Sequence, residues 1–261
     1  MTVPTSEPAL AGLVPTRRYG LEIILLLALS LGRSAIYSIL AIADRLTRPE
    51  ALNQQTSTLN PSIVPDRPWL DLTYQLAAVG FGVVPALLAL YLLNRDPGDG
   101  PRTIGFDHRR PGFDAWFGTV IAAGIGIPGL GLYLAARALG INTQVQASAL
   151  TDQWWTIPIL ILSAAENSIV EEVIMIGYLF TRFRQLNWPV VAILFTSAVM
   201  RGSYHLYQGF GGFIGNLIMG LVFGLIYLKW KRVAPLVVAH LLLDIVAFVG
   251  YSLVAPHVDW L

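Results

Sequence analysis

Glu171 and Glu172 stand side by side in a stretch, Trp154 to Phe180, that is otherwise apolar apart from Glu166 and Asn167. Two carboxylates this close in low dielectric do not both ionise without opposition, and one of them is suited to act as a general base near neutrality. Neighbours on a helix are ~100° apart, so one carboxylate faces a cavity while the other is held by a partner. Two more polar pairs interrupt later apolar stretches: Arg201 with His205, and His240 with Asp244. Each pair is spaced i, i+4 and shares a helix face. Tyr204 adds to a polar pocket around Arg201 and His205. An Asp beside a His can accept its ring N–H and fix its tautomer. A carboxylate with two imidazoles can activate water and stabilise an oxyanion. The same inventory suits a divalent metal such as zinc, with Glu171, His205 and His240 as ligands and one position open. The H-E-x-x-H helix of soluble zinc proteases is absent, so a metal site would have to be assembled across helices.

The elements that position these groups are membrane spans. The chain has 261 residues, of which 55% are hydrophobic and 13% charged, where a soluble domain carries about 25% charged residues. That excludes a disordered chain, and the lack of cysteine excludes a disulfide scaffold and a Cys-based metal or redox site. A net charge of +1 without a basic block gives nucleic acid no purchase. At about 20 apolar residues per crossing, the chain has room for six to eight helices.

Seven stretches fit: Leu21 to Ala43, Leu72 to Leu93, Phe113 to Ala136, Trp154 to Phe180, Trp188 to about Tyr207, Phe213 to Leu228 and Pro235 to Val254. Strand-type alternation is absent, which disfavours a β-barrel. The expected fold is an all-α, polytopic membrane bundle of about seven helices. Residues 1–112 would supply N-terminal spans and a cytoplasmic loop, and 113–261 the embedded bundle. Basic residues gather in alternate loops, at Arg17-Arg18, at Arg95 to Arg110, at Arg182 and Arg184, and at Lys229 to Arg232. The positive-inside rule then puts the N-terminus in the cytoplasm of a multi-pass cell-membrane protein. Arg45, Arg48 and Arg67 fall on the wrong side of that arrangement. The first stretch, with Ala41-Ile42-Ala43 at its end, has some marks of a signal peptide. Its length and Arg33 favour an uncleaved anchor. Arg33, in mid-span, is expected in a structural ion pair with a carboxylate on another helix, and Glu22 lies near an interface.

At Glu171-Glu172 with Gly177-Tyr178, at His205, and at His240 with Asp244, the chain resembles the CPBP intramembrane proteases, the group containing the CAAX prenyl endopeptidases. Their motifs are a Glu pair followed by Arg after three residues, a Phe followed by His, and a His followed by Asn or Asp. The resemblance covers about Trp154 to Val254. It implies that Glu171 is the general base, that Glu172 assists or orients it, and that His205 and His240 bind or polarise the reacting groups with Asp244 beside them. It also implies a peptide or membrane-protein substrate in the lipid bilayer, and a bacterial origin. A metal-dependent and a metal-free, glutamate-based mechanism are both compatible with it. Two positions depart from the pattern. The motif Arg is Ile176, and the motif Phe is Arg201. One cation is lost and one gained, and Arg201 would supply to Glu172 the charge that Ile176 cannot.

Straight upright helices would leave His205 ~25 Å along its helix and His240 only ~8 Å along its own. The site closes if the chain from Gly177 to Pro189 is irregular or lies flat, or if the fifth helix is tilted. Three functions stay open: an intramembrane endopeptidase, a non-catalytic scaffold or immunity protein of the same fold, and a proton-coupled transporter. The last lacks the internal repeat such carriers often show.

Overall fold

A computed structural model describes residues 16–96 and 100–254. The chain is an all-α membrane bundle with two three-residue strands. Helices α1 (Thr16–Leu29) and α2 (Leu31–Leu46) follow one another in the first apolar stretch and meet at a bend of 52°. The bend follows Ser30, whose hydroxyl donates to the Leu26 carbonyl at 2.6 Å. Arg33 falls just after the bend and is exposed, lying over the Tyr37 ring at 5.8 Å. It makes no ion pair among the described residues, so the expected bridge from Arg33 is not formed. Glu22 makes one instead, with Arg182 at 3.2 Å.

A polar loop carrying strand β1 (Thr56–Thr58) leads to α3 (Pro68–Gly82) and α4 (Val84–Asn94), which together make a 27-residue apolar rod. The short helix α5 (Gly100–Thr103) precedes α6 (Pro111–Ala138). Strand β2 (Gln144–Gln146) pairs in parallel with β1. Ser57 and Thr143 fasten this small sheet to the carbonyls of Tyr207 and Gln208 at 3.0 and 2.8 Å.

The fourth apolar stretch is helical throughout but not uniform. It runs as α7 (Thr156–Glu171), a π-helical segment from Glu172 to Tyr178, and α8 (Leu179–Gln185). A π turn leaves carbonyls poorly matched, and hydroxyls take two of them here. Ser197 donates to Met175 at 2.8 Å and Thr181 to Gly177 at 2.7 Å. Every residue from Glu172 to Phe180 is buried, so this segment is the centre of the core. Around it stand α9 (Val190–Tyr204), α10 (Phe210–Trp230) and α11 (Ala234–Val254). Helix α9 packs on α2 and α10, and α11 on α6 and α7.

Among the described residues, four helices are long and apolar enough to cross a membrane, and five if α1 with α2 is one broken span. That is fewer than seven for two reasons. The α7–α8 rod carries five charged residues. Helix α9 has only 15 residues, ~22 Å of rise against ~30 Å of hydrocarbon. It stops in the interior, at the polar turn that starts with His205.

Candidate active site

The π segment begins at the second glutamate, which decides how the pair is presented. Glu171 ends α7 and Glu172 opens the wider turn, so both carboxylates are turned toward α9 and α11. Glu172 is fully buried and Glu171 is 9% exposed. The Glu172 Oε1 atom accepts from Arg201 at 2.6 Å and from His240 Nδ1 at 2.7 Å. Arg201 is itself fully buried. The cation absent at Ile176 is therefore delivered from α9, as the paired substitutions lead one to expect. Ile176 meanwhile is 0% exposed and packed in the hydrophobic core.

Glu171 is held differently. The Tyr204 hydroxyl donates to its Oε2 at 2.7 Å, and Arg201 Nη1 lies 3.5 Å from the same oxygen. This fixes one carboxylate oxygen and leaves the other for water or substrate. Tyr204, expected as a polar neighbour of Arg201 and His205, belongs to no motif but contacts the site directly. Its signal was the i, i+3 spacing from Arg201, which puts both on one face of α9.

His240 lies six residues into α11, with Nδ1 on Glu172 and Nε2 3.7 Å from Asp244 Oδ1. A carboxylate only accepts, so the Nδ1 proton points at Glu172 and Nε2 is the atom left for chemistry. Asp244 is the less buried partner, with 19% of its side chain exposed.

His205 is the C-cap of α9, one residue beyond the helix. Its Nδ1 faces the Arg201 carbonyl at 3.1 Å and its ring packs against Tyr204 at 4.8 Å. His240 bonds to Glu172, which Arg201 also holds, and His205, one turn beyond Arg201, stays close enough to interact electrostatically with Glu171 and His240. Irregular backbone does permit this closure, but it starts at Glu172, five residues before Gly177.

Glu171, Glu172 and His240 each offer a ligand atom within 4.8 Å of the others, and all three are buried. Among the described residues this is the convergent set, and His205 is not part of it. The donors suit a divalent ion, and the buried Glu172 Oε2 has no hydrogen-bond partner. Arg201, however, already sets a positive charge against both carboxylates.

Three separate helices thus place a glutamate pair, an arginine and a histidine–aspartate face around one buried point. Residues 153–246 match the family model for Type II CAAX prenyl endopeptidase Rce1-like. This segment is similar to the CPBP/CAAX proteases, as the motifs imply. The match begins just before α7 and ends two residues after Asp244, so it takes in every residue of the site. No curated protein and no solved structure matches the chain.

Proposed function

We propose that this chain is an intramembrane endopeptidase that hydrolyses a peptide bond through a water activated by Glu171. The observation that carries the reading is the buried convergence of Glu171, Glu172 and His240, with Arg201 taking the place of the family's cation. An ionisable group inside a span costs about 2.5–3.5 kcal/mol on insertion scales, so five or six of them gathered at one point indicate function.

In this mechanism Glu171 is fixed by Tyr204 and accepts a proton from a water bound at its second oxygen. The water attacks the scissile carbonyl, and Glu171 returns the proton to the leaving amine. Glu172 is the internal counter-charge that orients Arg201 and the His240 ring. His240 Nε2, next to Asp244, holds or passes a proton at the carbonyl oxygen. His205 lines the approach one turn away. If a divalent ion is used, Glu171, Glu172 and His240 would hold it, and it would supply Lewis-acid polarisation. The substrate is a peptide or a membrane protein presented from the bilayer. The N-terminus is cytoplasmic, because the loops that carry most of the basic residues lie at one end of the bundle.

Proteoliposomes holding the full chain, mixed with a library of membrane-anchored quenched peptides, test the proposal. Cleavage by wild type that disappears in His240→Ala supports it. Proton-driven solute flux in the same vesicles would assign a transporter instead. Undiminished biological function in Glu171→Gln and His240→Ala would assign a scaffold.

A further inference from the structure

The basic end of the bundle holds a cavity remote from the glutamate pair. It has a volume of about 290 Å³ and is lined by Arg184 of α8 and by Lys231, which follows α10. Thr103, Thr181 and Tyr227 add hydroxyls, and Phe180 forms an apolar wall. No acidic residue lines it. The carboxylates around this end are already engaged. Asp96 is taken by Arg182, Asp107 by Arg109 and Arg232, and Asp114 by Arg232. Among the described residues, Arg184 and Lys231 make no ion pair.

Lys231 has a left-handed backbone, φ 55°, which a residue with a Cβ rarely adopts. It stands between this cavity and a second one of about 310 Å³ that also carries Arg110 and Trp230. Partial desolvation and the neighbouring Arg184 guanidinium hold the Lys231 ammonium below the ordinary lysine range, although both residues are exposed. Trp230 packs with Phe113 and Phe117 at 5.3 Å each, and Trp116 stacks on Phe117. Such an aromatic cluster at a helix end marks the headgroup level of a bilayer.

We infer that Arg184 and Lys231 form a phosphate-binding seat for an anionic phospholipid headgroup at the basic end of the bundle. Basic pockets between helices at this depth are suited to such headgroups, and each cation near the surface contributes about a 5-fold gain in binding. A lipid held here would brace α8, the direct continuation of the segment that carries Glu172. The seat is independent of the proteolytic reading.

The test is native mass spectrometry of the full chain in detergent with added phosphatidylglycerol, phosphatidylcholine or inorganic phosphate. Phosphatidylglycerol should be retained in preference to phosphatidylcholine. Retention should fall about 5-fold in Arg184→Gln or Lys231→Gln and about 25-fold in the double variant. Lys229→Gln, in a residue that faces the Trp230 ring at 5.7 Å and does not line the cavity, should leave it unchanged. Equal retention of both lipids, or equal retention by the double variant, would overturn the inference and leave the two cations as complements to helix C-termini. Displacement of phosphatidylglycerol by millimolar inorganic phosphate would assign the seat to a soluble anion and overturn the lipid assignment.

Discussion

Replacing Arg201 with Ala is the perturbation that bears hardest on how the site is built. Arg201 and Glu172 are both fully buried and 2.6 Å apart, so the variant leaves a carboxylate in the core with only His240 as partner. Breaking a buried pair from one side costs about 3–5 kcal/mol, because the remaining charge stays desolvated. For a chain of this size about 2–4 °C of melting temperature goes with each kcal/mol, so the midpoint should fall by about 6–20 °C. Tryptophan emission against temperature reads this directly, since the chain has 7 Trp. The reasoning also predicts a rescue. Position 176 is i+4 from Glu172 and so on nearly the same face of its helix. Ile176→Arg combined with Arg201→Phe restores the family's pattern of cation and aromatic, and should recover at least half of the lost stability. An Arg201→Ala protein that melts within about 2 °C of wild type, or a double variant no better than the single one, would refute the exchange of cations.

Other perturbations reach different parts of the account. Tyr204→Phe removes a hydrogen bond to a charged carboxylate, a contact typically worth about 1.5–3 kcal/mol, and should lower kcat at least ~10-fold with KM little changed. Steady-state kinetics on a cleaved peptide would show it. Gly177→Ala puts a methyl 2.7 Å from Ile104 Cδ1, and should destabilise by about 1–3 kcal/mol. Adding Ile104→Val deletes that atom and should restore the melting temperature. Asp107 is held well below the usual carboxylate range, first by its hydrogen bond from Arg109 and then by Arg232. A depressed folded pKa contributes stability above the unfolded value of about 4 and loses it as pH falls toward the folded value. Asp107→Asn should therefore lose less melting temperature than wild type between pH 5 and pH 3.

Much of this architecture is legible in the sequence because a bilayer charges heavily for exceptions. Glu171, Glu172, Arg201, His240 and Asp244 stand out against apolar surroundings, and the structure gathers them. The Ile176 and Arg201 departures are individually obscure, yet together they describe the ion pair to Glu172 that is observed. Other features leave no trace in hydropathy. The π segment from Glu172 to Tyr178 lies in a nearly continuous apolar run, where a helical period and a slightly wider one look alike. Helix α9 stops at Tyr204 with no proline to announce it, so its span was taken too far, to about Tyr207. The bend at Ser30 rests on one side-chain bond to the Leu26 carbonyl that hydropathy does not record, and the pairing of β1 with β2 depends on residues distant in sequence. Arg33 stands in mid-span in the sequence, and hydropathy does not show that the helix bends just before it. The Glu22 to Arg182 bridge joins the first and fourth apolar stretches through packing that hydropathy does not record.

The most direct measurement compares wild type with Glu171→Gln, both purified in detergent and shown to be folded, on a quenched peptide library with and without a strong chelator. The account predicts cleavage by wild type and its loss, by about 100-fold or more, when the general base is neutralised. Chelator sensitivity of the wild-type rate would add a divalent ion to Glu171, Glu172 and His240. Cleavage by Glu171→Gln at the wild-type rate would contradict the central claim.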